Sequence, residues 1–217
     1  MRPSRQVLDA LAGALRLDPA ERLHLHELVH GTPGPGAVTI ERLEPLVAEL
    51  VDRLDPAPAY VTGRRWDVLA ANRAARALWA DWAVMEPSDR NMLWWTFSDP
   101  AARAVFAEWE QEASSLLARF RSAAARHPGD PSFGELIDRL HMMSPEVRAW
   151  WPRHDIAALS PGTKRLRHRV LGELELRYVV LQLASDPEQK LVSFSVAEAD
   201  AARLARLIGR DGLSPSG

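Results

Sequence analysis

Cysteine is missing from all 217 residues, which excludes disulfides, thiolate metal sites and cysteine nucleophiles and suits a reducing compartment. Also missing is any apolar run near the ~18 residues of a membrane-crossing helix, and the start lacks the charged, apolar and small-residue succession of a secretory leader. These absences predict a cytoplasmic location with no membrane partner. Neither GxGxxG nor GxxxxGK(S/T) occurs, so no phosphate-cradling loop is expected, and no GxSxG nucleophile elbow appears. His24 and His26 stand two apart on an expected helix and point to different faces, while His154 and Asp155 are adjacent and isolated; helical metal ligands need a spacing of three or four. No cofactor, no metal and no catalytic residue are therefore expected, and the chain does not read as an enzyme. A net charge of −2 excludes a wholly basic nucleic-acid binder. Lysine is scarce too: Lys164 and Lys190 are the only two among 27 basic residues, which reads as a bias of coding.

What is present is a 47% hydrophobic, 26% charged chain with eight tryptophans, six of them in the close pairs Trp79/Trp82, Trp94/Trp95 and Trp150/Trp151. Such large aromatics must be buried, line a cavity or form an interface. The length suits one well-buried domain and an accessory piece. Residues 1–31 read as two short helices. Val7, Leu8, Leu11, Ala14 and Leu15 form the stripe of the first, and Asp18-Pro19-Ala20-Glu21 opens the second with an Asp cap, an early Pro and a Glu. Residues 32–38, within the run GTPGPG, read as a linker, 39–210 as the main domain and 211–217 as a frayed tail.

The main domain opens with an amphipathic helix over 40–54, ended by Pro56 and Pro58. Ala59 to Thr62 and Trp66 to Ala70 then read as strands about a Gly63-Arg64-Arg65 turn. Asn72 caps a helix whose apolar positions are Ala75, Leu78, Trp79 and Trp82. That order opens a PAS-type sensor, and equally any hairpin laid on a helix. A helical middle follows: Pro100 to about Arg126, Phe133 to Met143, and a helix capped by Ser144 that holds Trp150 and Trp151. The period then changes from 3.6 to 2. Leu166, His168 and Val170 alternate with Arg165, Arg167 and Arg169; beyond Gly172, Leu174, Leu176 and Tyr178 alternate with Glu173, Glu175 and Arg177. A strand over 191–196 and a terminal helix over 197–208 close the domain.

Three blocks carry a resemblance: Trp66-Asp67-Val68-Leu69-Ala70-Ala71-Asn72, the run from Arg90 to Pro100 (RNMLWWTFSDP), and the run from Arg167 to Tyr178 (RHRVLGELELRY). In this order, over roughly 43–207, they resemble the ligand-binding domain of MmyB-like bacterial transcription regulators. The resemblance implies an α+β fold: a PAS-like antiparallel sheet covered by helices, with a buried pocket for a small apolar, fatty-acid-like ligand. It also implies an XRE-type helix-turn-helix in front, whose last two helices Pro3 to Leu11 and Leu15 to Asp18 resemble; the recognition helix would lie before Met1. Arg2, Arg5, Arg16 and Arg22 are matched by Asp9, Asp18, Glu21 and Glu27, so this remnant has no electrostatic footprint for DNA. DNA would be reached only through the missing helices, by a homodimer, as two-fold readers require.

The candidate ligand residues are Trp94, Trp95, Phe97, Trp109, Met143, Trp150, Trp151, His168 and Tyr178. Flat Trp and flexible Met suit an acyl chain, and each is otherwise ordinary core. His168 is either an anchor for a ligand or a core histidine satisfied by a backbone carbonyl. Arg90 or Arg148 is a candidate partner for a carboxylate head group, or a solvated surface charge. Two rival functions remain open: a protein-interaction module with a tryptophan-rich surface and a closed pocket, and a small cofactor-free enzyme.

Overall fold

The computed structural model describes residues 5–15, 17, 41–153 and 162–211. The chain falls into two compact units, Met1–Thr39 with Pro128–Ser132, and Ile40–His127 with Phe133–Gly217. The first unit shows helix α1 (Arg5–Ala14), in which Leu8 is buried while Val7, Leu11 and Leu15 are exposed. The expected second helix, with His24 and His26, lies outside the described residues, as do His154, Asp155 and residues 212–217 of the tail, while Asp211 ends a helix.

The second unit is built on strands β1 (Ala59–Thr62), β2 (Val68–Ala71), β3 (Gly162–His168), β4 (Gly172–Gln182) and β5 (Lys190–Ser195). They form one sheet in the order β2-β1-β5-β4-β3, with every pairing antiparallel. Helices α2 (Pro45–Arg53), α3 (Arg73–Leu78), α4 (Met92–Ser98), α5 (Pro100–Val105), α6 (Trp109–Arg126), α7 (Pro131–Met143), α8 (Pro145–Trp150) and α9 (Glu198–Asp211) complete it. This open sheet with helices on it is an α+β, PAS-like fold.

β1 explains the layering. Its four residues are all buried because both faces are covered. Tyr60 enters the main core with α3 to α8, whereas Ala59 and Val61 join Leu191 in a smaller cluster against Val51 and Val47 of α2. Asn72 locks the entry to α3. Its Oδ1 accepts from Ala75 N at 2.9 Å and from Ala59 N at 3.1 Å, and its Nδ2 donates to Ala57 O at 2.8 Å, so one fully buried side chain caps a helix and fastens it to β1. Burying each large side chain of this core stabilises it by about 1.5–3 kcal/mol.

The structure departs from the periodicity in five places. The first helix of the main domain starts at Pro45, whose ring suits the first helical turn. Trp66 is not in a strand: its φ of 65° places it in the left-handed region, and β2 begins at Val68. Trp82 lies beyond α3, in a 3-10 turn (Trp82–Val84) capped by Asp81, and still reaches the core against Tyr60 and Trp95. The long helix expected from Pro100 breaks in two. Phe106 adopts an extended backbone and bridges to Leu166, and Ala107 N donates to Arg165 O at 2.9 Å. The break satisfies the open edge of β3, a hydrogen-bonding demand invisible in local sequence. In the β3–β4 hairpin, Leu166, His168, Leu174 and Leu176 are buried as the alternation requires, but Val170 falls in the turn and is 58% exposed.

Candidate functional site

Inward-facing residues of the sheet meet three helical segments around one cavity. Period 2 brings Tyr60 and Thr62 of β1, Lys164 of β3, Tyr178 and Val180 of β4, and Lys190 and Val192 of β5 to the same face. Trp66 closes one side, and Trp79, Met92, Thr96 and Phe106 roof it. Glu112, Leu116 and Arg119 add one face of α6, at four- and three-residue steps. Trp109 Nε1 donates to Thr96 O at 3.0 Å and fixes the start of α6 against α4. The free space is about 60 Å³. At roughly 10–15 Å³ per water, it has room for a few waters.

The lining is apolar and aromatic with a buried charge cluster. Lys164 Nζ donates to Glu112 Oε2, and the ammonium lies 5.3 Å from the Tyr178 ring and 5.8 Å from that of Phe106. Burial pushes the Lys164 pKa down while the Glu112 carboxylate pulls it back. Lys190 stands 5.2 Å over the Trp66 ring, and burial pushes its pKa down against the pull of Glu188. Burial holds the Tyr60 phenol well above its ordinary pKa, so it stays protonated. Arg119 is the exception: its Nε is buried with no hydrogen-bond partner.

Of the nine residues singled out from sequence, Tyr178 lines this cavity and the other eight do not. Phe97, Trp109 and Trp150 meet in an aromatic cluster of their own, with centroids 5.9–6.2 Å apart and the Arg103 guanidinium 3.7 Å over Trp109. Trp95 is buried between Trp82 and Phe106, Trp94 is half-buried under the Arg139 guanidinium, and Trp151 sits against Phe120 and His141. Met143 is 52% exposed. His168 borders a separate open groove with Arg73, Arg76, Asp81 and Arg169. Both its ring nitrogens are engaged: Nε2 lies 3.1 Å from Ala77 O, and Nδ1 accepts from Val170 N at 3.2 Å and Leu171 N at 3.1 Å. Two amide donors on Nδ1 place the proton on Nε2, the tautomer that serves all three contacts. That is the core-histidine alternative. Arg90 donates to the carbonyls of Met85 and Ala83, and Arg148 to those of His141 and Met142, so both cap backbone away from the cavity.

The lining also holds Tyr60, Trp66, Trp79, Glu112, Arg119, Lys164 and Lys190, which were not among the candidate ligand residues read from sequence. Both lysines of this arginine-rich chain line the cavity. All eight tryptophans are buried or half-buried, with Trp94, Trp150 and Trp151 the half-buried ones. Among the described residues no cluster of His, Asp or Glu is placed to hold a metal ion, and no helix is long and apolar enough to cross a membrane. The family described as MmyB-like transcription regulator ligand binding domain matches residues 43–207. No curated protein matches the chain.

Proposed function

The chain belongs to the MmyB-like transcription regulators through their ligand-binding domain, and we propose that this domain senses a small, largely apolar, fatty-acid-like molecule in the cavity between the sheet and α3, α4 and α6. The carrying observation is the cavity itself: the sheet and three helical segments converge on one space whose wall is mostly aromatic and aliphatic, with a few placed polar groups. Such a wall suits recognition of a ligand's body and orientation. With about 60 Å³ free, any occupant larger than a few atoms must displace lining side chains. Met92 and Leu116 are the adaptable ones. That requirement supports a sensing role, because a ligand that fits only after rearrangement binds one arrangement of the domain better than another and shifts the population. The working molecule in this reading is a cytoplasmic homodimer. The signal passes through α2 to a helix-turn-helix of which residues 1–31 supply the last helices and 32–38 the linker. The family is one of regulator domains, not enzymes.

The test is mass spectrometry of small molecules extracted from the purified protein, beside tryptophan emission before and after delipidation. The expected result is a stoichiometric co-purifying compound whose removal changes the emission of Trp66 and Trp79. A clean extract, with emission unresponsive to any added amphiphile, refutes the sensing role of this cavity.

A further inference from the structure

The charges around the cavity do not balance, and the imbalance has an address. Its lining holds three cations, Arg119, Lys164 and Lys190, and one carboxylate, Glu112. Glu112 holds Lys164 in an ion pair with both side chains largely buried. Lys190 sits near the rim, donates to the Glu188 carbonyl at 3.4 Å and lies in the field of Glu188, Glu41 and Asp186. Arg119 has no such arrangement. Among the described residues no carboxylate pairs with it, and its Nε is shut away from water without an acceptor. A buried lysine relieves such a situation by losing its proton, but a guanidinium stays charged at any ordinary pH. The remaining relief is an acceptor brought in from outside.

We propose that Arg119 is the head-group residue of the cavity, pairing with the carboxylate of a compact monocarboxylic acid, short-chain or single-ring, whose apolar body lies against Trp66, Trp79 and Leu116. This rests on the reading of the cavity as a site for a fatty-acid-like ligand and adds to it the residue that holds the head group and a limit on the length of the body. One uncompensated positive charge calls for one negative charge: a neutral molecule can accept from Arg119 Nε but leaves the charge unpaired, and a dianion leaves a charge in excess. The guanidinium fork matches a carboxylate in two parallel hydrogen bonds. The small free volume favours a short body, since each further methylene forces more of the packed wall aside.

The experiment compares hexanoate, hexanamide and decanoate on the wild-type chain and on Arg119→Met, by thermal shift and tryptophan emission, with sodium chloride and phosphate matched in ionic strength. Hexanoate is expected to stabilise the wild type, hexanamide to bind at least tenfold more weakly, and Arg119→Met to lose the difference between acid and amide. Without ligand, Arg119→Met is expected to be at least as stable as the wild type, because it removes a buried Nε–H that has no acceptor; a marked loss of stability makes Arg119 a structural residue and overturns the assignment. Acid and amide binding alike leaves the cavity as a ligand site and overturns the role of Arg119. Phosphate or chloride reproducing the hexanoate shift overturns the carboxylic-acid class. Decanoate binding more tightly than hexanoate overturns the compact body. Binding of none of the organic probes refutes the ligand site, and the proposal with it.

Discussion

Replacing His168 by leucine tests the reading of that residue as a structural tie. Leucine suits the apolar side of β3 and fills much of the imidazole's volume, so the perturbation is mainly polar. Three hydrogen bonds disappear: those with Ala77 O, Val170 N and Leu171 N. Val170 is 58% exposed, and its amide turns to water at little cost. Leu171 is 5% exposed and Ala77 half-buried, so their groups are stranded. At roughly 1–2 kcal/mol for each, the loss is about 2–4 kcal/mol. For a chain of this size that lowers the melting temperature by roughly 5–15 °C. Urea unfolding at pH 8 measures the free energy, and a hexanoate titration of the folded fraction measures binding. Affinity is expected to stay within about twofold of wild type, since His168 borders a different groove from the cavity. A variant with unchanged stability and weakened binding refutes the structural assignment and restores His168 as a ligand anchor.

The same site predicts a pH dependence. Burial, with Arg169 adding to it, holds the His168 pKa below its ordinary 6.5 against the pull of the Ala77 carbonyl. The folded state therefore resists a proton that the unfolded state accepts, and protonated Nδ1 would oppose two amide donors. The stability is fully present above about pH 6.5 and declines as pH falls below that value toward the folded pKa; the difference between pH 8 and pH 5.5 in urea unfolding should shrink in His168→Leu. Asn72→Ala removes a helix cap and leaves Ala59 N and Ala57 O without their partner, so a loss of about 3–5 kcal/mol is expected, and amide exchange should speed first in α3 and β1. Glu112→Gln strands Lys164 in the cavity wall and is expected to destabilise by about 1–3 kcal/mol. Restored stability in Glu112→Gln with Lys164→Met checks that the cost is the unpaired charge.

The elements of the main domain were legible because their causes are local. Val, Tyr and Thr at strand length gave β1, Asn72 announced its helix, and the shift from period 3.6 to period 2 marked the β3–β4 hairpin within a residue or two. The Arg-His block placed His168 on the correct face, since period 2 alone decides that. What failed was whatever depended on a distant partner. Nothing between Pro100 and Arg126 signals a break at Phe106, because the break serves the edge of a strand some sixty residues on.

The cavity belongs to the same class of facts. Lys164 meets Glu112 across 52 residues, and Tyr60, Arg119 and Tyr178 come from three separate elements. The Trp pairs drew attention as a pocket because they are conspicuous in sequence, yet most of them fill core elsewhere. Amino-acid order by itself determined the family, the class of fold and the inward face of the β3–β4 hairpin, since hydrophobic period and capping act over a few residues. Which inward residues surround empty space, and which buried charge finds no partner, was decided by tertiary structure alone: packing and charge balance are sums over neighbours that only the folded chain brings together.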